Sequence, residues 1–206
     1  MQRVIDYYYT HASPWAYLGH AAFLEMADKQ GYAVRFRPVS LAAVFPETGG
    51  LPLARRHPVR QAYRLIELQR WRAHRKVPLT LQPAYFPVNP DLADRIALAL
   101  AIDGGPVAAY TQAVFEALWV NEKDIADEAV HVAILTGLGL DPAAVIAHAG
   151  EKTIVDRYEE HQSEAIAGGV FGSPSYVLNG EVFWGQDRLA LLEEALVSGR
   201  PPYEQP

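Results

Sequence analysis

The stretch Arg3-Val4-Ile5-Asp6-Tyr7-Tyr8-Tyr9-Thr10-His11-Ala12-Ser13-Pro14-Trp15-Ala16 decides the fold. Arg3 to Tyr9 is rich in β-branched and aromatic residues and reads as a strand. Thr10-His11-Ala12 is a short turn. Ser13 is a favoured helix N-cap, and Pro14 suits the first helical position, where no N–H is needed. Trp15, Leu18, Ala22, Leu24 and Met26 follow as an apolar helical face, and Gly31 marks its stop. Ala33 to Arg37 alternates Val34 and Phe36 with arginines and reads as a second strand. The order strand, helix, strand predicts a right-handed crossover, with the helix N-terminus beyond the carboxyl end of the first strand, a common ligand position in α/β folds.

A second unit closes the chain. Glu151 to Ala167 reads as a helix ending at Gly168-Gly169. After Phe171-Gly172-Ser173-Pro174, Ser175 to Leu178 forms a short strand. Asn179-Gly180 is a strong hairpin signal, so Glu181 to Trp184 should pair antiparallel with it. Gly185-Gln186-Asp187 leads into a last helix, with Leu189, Leu191, Leu192, Leu196 and Val197 as expected buried positions. The region between the units looks helical. Helix starts are predicted at Asn89-Pro90-Asp91, Pro106, Asp127 and Asp141-Pro142. The expected division is 1–40 with 151–206, interrupted by a helical insertion over 41–150.

Composition narrows the chemistry. The 206 residues carry 18 Lys and Arg against 24 Asp and Glu, a formal charge of −6, which argues against nucleic acid as the main partner. There is no cysteine, which excludes disulfides, thiolate metal sites and Cys-x-x-Cys redox chemistry on the protein itself. The histidines, at 11, 20, 57, 74, 131, 148 and 161, lack the i, i+4 spacing of helical zinc pairs, and no metal site is expected. No apolar run is long enough to span a membrane, and the first residues lack a secretory pattern, so a soluble cytoplasmic protein is expected.

Four places could carry chemistry. A helix N-terminus at Ser13-Pro14 offers unpaired N–H groups and a positive dipole end to an anion, although Ser13 could equally serve as a plain cap. Pro174, after a flexible glycine and before a strand, is a candidate cis proline. A cis bond would free the Ser173 backbone to pair with an extended ligand; an ordinary trans proline is the alternative. Gln186 and Asp187, just ahead of a helix, could hold an amino-acid head group or merely cap. Between Arg55 and Lys76 lie eight of the 18 cationic residues, opposed only by Glu67 and interleaved with Tyr63 and Trp71. That run could attract an anionic aromatic substrate or simply face solvent.

Taken in order, the strand, Ser13-Pro14-Trp15-Ala16-Tyr17-Leu18, the helical stretch, the block Gly169 to Arg188 with Gly172-Ser173-Pro174, and Phe183-Trp184-Gly185-Gln186-Asp187-Arg188-Leu189 resemble the 2-hydroxychromene-2-carboxylate isomerases. That family groups with kappa-class glutathione transferases and DsbA-type proteins. The resemblance implies an α/β protein, a thioredoxin-like core with an inserted α-helical domain, and glutathione as the cofactor. Ser13 stands where a DsbA-type oxidoreductase has its first active-site cysteine, and Ala16 where it has the second. The resemblance makes Ser13 the catalytic residue, contacting the glutathione sulfur. Ser173 and Pro174 would meet the cysteinyl unit, and Gln186 and Asp187 the γ-glutamyl end.

For the substrate, a small aromatic carboxylate, the candidates are Arg60 with Trp15, Tyr63, Tyr85 and Asn89. The family often has Lys where Arg60 stands and an Asp near Glu67, and kappa-class transferases carry an Asn near Gly50 that is missing here. A homodimer is a further expectation. The alternatives are a kappa-like transferase and a non-catalytic module that binds peptides at the Ser173-Pro174 edge.

Overall fold

In the computed structural model, which describes residues 3–204, strand β1 spans Val4–Tyr9 and leads into helix α1, Pro14–Lys29. Ser13 caps α1 by accepting the Ala16 N–H at 3.2 Å. Gly31, with φ of +69°, lets the chain leave the helix in the left-handed region. Strand β2, Ala33–Pro38, returns parallel to β1, with Tyr7 opposite Phe36. Strand β3, Ser175–Leu178, lies antiparallel on the other side of β1, and β4, Glu181–Trp184, pairs with β3. The sheet order is β2-β1-β3-β4. Asn179 and Gly180 both have positive φ, as a tight two-residue hairpin requires. The peptide bonds Phe86–Pro87 and Ser173–Pro174 are cis.

The three consecutive tyrosines sort by strand alternation. Ile5, Tyr7 and Tyr9 join the larger core, whereas Tyr8 joins a smaller cluster with Val39, Val44, Ala165 and Val170. Tyr7 stacks between Tyr9 and Tyr176, with ring centroids 4.5 and 5.5 Å away. Burying each ring contributes roughly 1.5–3 kcal/mol, and the Tyr9 hydroxyl keeps a partner in Thr111 at 3.0 Å. Helices α1 and α9, Leu189–Ser198, contribute to the larger core. Helices α2, Leu41–Thr48, and α8, Lys152–Ala167, supply the smaller cluster. Arg37 of β2 bonds both Asp6 and Glu164, tying α8 to the sheet.

Between α2 and α8 run α3, Pro58–Arg75; α4, Asp91–Ile102; α5, Val107–Trp119; α6, Glu128–Gly137; and α7, Pro142–Ala149. Side chains just ahead of α4, α6 and α7 take up N–H groups at these starts. Asn89 accepts the Asp91 N–H at 3.0 Å, Asp127 that of Ala129 at 2.9 Å, and Asp141 that of Ala143 at 3.0 Å. In α9 the outcome differs from expectation. Leu189, Leu192 and Leu196 are buried, but Leu191 and Val197 are exposed. At 3.6 residues per turn the first three share a stripe and the other two fall off it. Among the described residues no helix is long and apolar enough to cross a membrane.

Two buried histidines make stability depend on acid. Burial pushes His20 and His161 down to about 4, with His11 acting in the same direction on the first and Arg157 and Arg37 on the second. Both rings are neutral when folded but gain a proton in the unfolded chain below about pH 6.5. The unfolded state then binds more protons, so their contribution falls as pH drops from about 6.5 to 4. In His161→Gln, the urea midpoint should decline less between pH 7 and pH 4.5 than in the parent. Parallel declines would show that His161 has no part in it.

Candidate functional site

The site forms where two distant segments meet. Because β1 and β3 are antiparallel, with Tyr8 opposite Ser175, the loop leaving β1 lies beside the segment entering β3. The Ser13 hydroxyl donates to the Ser173 carbonyl at 3.0 Å. The Ser173 hydroxyl accepts the Thr10 N–H at 3.1 Å, and the Ser13 N–H bonds the Thr10 carbonyl. Both serines are buried, with 5% and 8% of their residue surface accessible.

The first turn of α1 is sparing with donors. Pro14 has none, and the Ala16 N–H is taken by Ser13. The Trp15 N–H has no protein acceptor among the described residues. An anion at this terminus would therefore meet the Trp15 N–H, the positive end of α1 and, once it lets go of Ser173, the Ser13 hydroxyl.

Beneath this loop lies a residue that reading the sequence missed. Asp94, on α4, is fully buried. It accepts from the Thr10 hydroxyl at 2.9 Å, the His11 N–H at 3.1 Å, the His11 Nδ1 at 2.6 Å and the Tyr158 hydroxyl at 3.1 Å. With Asp94 as the acceptor, Nδ1 is the ring nitrogen that carries the proton. The Trp119 indole N–H donates to the His11 carbonyl at 3.1 Å. The other ring nitrogen of His11, Nε2, is buried without a partner among the described residues and sits among Tyr9, Tyr110 and Phe115. Asp94 and Trp119 thus clamp residues 10–11, and through them Ser13. The available signal was an acid inside the apolar run Leu92 to Leu100.

Gln186 and Asp187 have different surroundings. Gln186 is buried against α1 at Gly19, where a Cβ would lie 2.5 Å from that of Gln186. Its side-chain oxygen and its carbonyl both accept from Arg75, at 3.0 and 2.9 Å. The structure thus joins Gln186 to the end of α3. Arg75 was not singled out from the sequence, because only the fold brings it to Gln186. Asp187 is partly exposed, 3.2 Å from Arg188. Phe171 and Trp184, both exposed, form an edge-on pair with centroids 4.7 Å apart.

Of the remaining candidates, Trp15 lies in the first turn of α1, beside the junction, and is half-buried, and Arg60 is exposed. Tyr63 is exposed, with the Arg70 guanidinium over its ring, and Tyr85 is also exposed. Asn89 caps α4. Among the described residues no hydrogen bond joins any of these five to Ser13.

The family model for the DSBA-like thioredoxin domain matches residues 4–197. The chain belongs to this family. It is similar to the 2-hydroxychromene-2-carboxylate isomerase of Pseudomonas sp. strain C18, 31% identical over 201 residues and covering 96% of this chain and 92% of that relative. It is 30% identical to the isomerase of the same name from Pseudomonas putida, covering 94% of each. A solved structure of a 2-hydroxychromene-2-carboxylate isomerase superposes with a TM-score of 0.82 at 28% identity, covering 95% of both chains. The thioredoxin-type α/β fold expected from Ser13-Pro14 and the Gly169–Arg188 block is therefore the fold the family has.

Proposed function

We propose that this protein is a glutathione-dependent isomerase that converts 2-hydroxychromene-2-carboxylate to trans-o-hydroxybenzylidenepyruvate in aromatic catabolism. The observation that carries the reading is the Ser13–Ser173 junction at the start of α1. Near-full-length similarity to isomerases of that name supports the reaction class. A chain without cysteine must take its sulfur from elsewhere, and a hydroxyl beside a helix terminus with a free N–H suits a borrowed thiolate. Bound glutathione would supply a sulfur nucleophile whose reversible addition to a conjugated double bond makes that bond single and free to rotate.

The chain's own residues then have distinct tasks. Ser13 has one hydroxyl proton, currently given to the Ser173 carbonyl. Turning that proton toward sulfur releases the carbonyl, which can then accept an N–H from the tripeptide. The Ser13 oxygen keeps accepting the Ala16 N–H throughout, so the helix stays capped. One proton thus links the two halves of the site. Arg75 fixes Gln186 at the far end, leaving the Asp187 carboxylate accessible to an ammonium group. The cytoplasm, which holds a glutathione pool, is the setting this requires.

Asp187→Ala is expected to weaken glutathione binding about tenfold, the scale of one charge-assisted contact. Turnover at saturating glutathione should be nearly unchanged. Calorimetric titration tests the first part; unchanged affinity removes Asp187 from the site. The central experiment follows chromene isomerisation with and without glutathione. Turnover that ignores the tripeptide would refute the proposal, and conjugation without isomerisation would favour a kappa-like transferase.

A further inference from the structure

A groove of about 340 Å³ lies between α3 and the segment that follows it, lined by Leu53, Gln61, Arg64, Leu65, Leu81 and Phe86. Its one charged group is Arg64. The guanidinium sits over Phe86, 5.3 Å from the ring centroid. Arg70, further along the helix, is paired with Glu67, but Arg64 makes no ion pair and donates no hydrogen bond among the described residues. Burial pushes Arg64 down to about 10, and Arg56 adds to the effect. A half-buried cation facing hydrocarbon and a second cation is stabilised by an incoming anion.

We propose that this groove binds a flat aromatic monocarboxylate, with its ring against Phe86 and Leu65 and its carboxylate on the Arg64 guanidinium. The planar fork of Arg64 matches a carboxylate through two parallel N–H bonds. The walls are mostly apolar; besides Arg64 the polar lining is Gln82 and Gln61, whose amide already gives one N–H to the Arg56 carbonyl at 2.7 Å. A more highly charged and hydrated phosphate would meet a single cation and two neutral amides there, a poor exchange for its hydration. Phe86 packs on Trp119 with centroids 5.0 Å apart, and Trp119 holds the His11 carbonyl. A single aromatic pair therefore connects the groove to the loop that carries Ser13. The inference deepens the isomerase reading by giving the organic acid a seat, and only its relevance to turnover rests on that reading.

The test titrates the intact protein with 2-naphthoate and, as a neutral counterpart, 2-naphthylmethanol. The acid should bind about tenfold or more tightly than the alcohol, the scale of a charge-assisted pair. Arg64→Gln should abolish that preference, Arg64→Lys should retain part of it, and Arg70→Gln should leave it intact. Melting curves establish that the variants are folded, and Arg64→Lys carries the test if Arg64→Gln is not. Equal binding of acid and alcohol, or an undiminished preference in Arg64→Gln, overturns the proposal. Glutathione titration is run separately. A protein that prefers naphthoate through Arg64 but ignores glutathione refutes the Ser13 reading and leaves the groove standing.

Discussion

Ser13→Ala should lower isomerase turnover about a hundredfold, the loss typical of removing one donor aimed at charge in the reacting state. Glutathione affinity should change far less. On the proposed reading the hydroxyl would be one contact among several in the ground state, but the one whose proton can turn toward the sulfur. The thiol of bound glutathione should also titrate at higher pH in the variant, which ultraviolet thiolate absorbance reads directly. Losing the cap costs only about 1 kcal/mol of stability, so the fold should persist. Parallel losses in binding and turnover would make Ser13 an anchor and nothing more.

The second large effect concerns Asp94. Asp94→Leu removes the acceptor of four donors: the Thr10 hydroxyl, the His11 N–H, the His11 ring and the Tyr158 hydroxyl. Each buried donor left unsatisfied costs about 1–3 kcal/mol. The sum, roughly 5 kcal/mol or more, rivals the whole stability of an ordinary domain at about 5–15 kcal/mol. Little folded protein should accumulate. Asp94→Asn keeps one carbonyl oxygen and should lose about 2–4 kcal/mol, measured by urea unfolding. A loss below about 1 kcal/mol for the Asn variant would show that the network has little importance. Asp94→Asn should also slow turnover, because Thr10 and His11 then hold Ser13 less firmly.

Much of this was legible in the residues themselves. Ser13-Pro14, Asn179-Gly180 and the Asp caps at 127 and 141 act within a few positions of chain, so local chemistry locates β1, α1, the hairpin and the later helix starts. The alternation in β1 likewise separates Tyr7 and Tyr9 from Tyr8. The pairing of Ser13 with Ser173 was accessible only through the family resemblance. Asp94 was hidden because its partners in the Ser13 loop are 83 and 84 residues away in the chain. Arg75 was hidden for the same reason, with Gln186 111 positions off. Arg64 was lost inside a basic run, where charge alone cannot distinguish a paired arginine from an unpaired one. Leu191 and Val197 were misplaced because a leucine-rich helix has more apolar residues than its packed stripe can take.

The contact between Ser13 and Ser173 spans 160 positions of chain, and this bears on how the protein comes into being. On a ribosome, β1, α1 and β2 emerge first, and the helices that follow can form from local contacts. Until β3 is made, one flank of β1 is an open edge, available to any stray strand. Through that interval the chain lacks the Ser13–Ser173 junction and is most prone to aggregate. The emergence of β3 then closes that edge and brings Ser173 to Ser13.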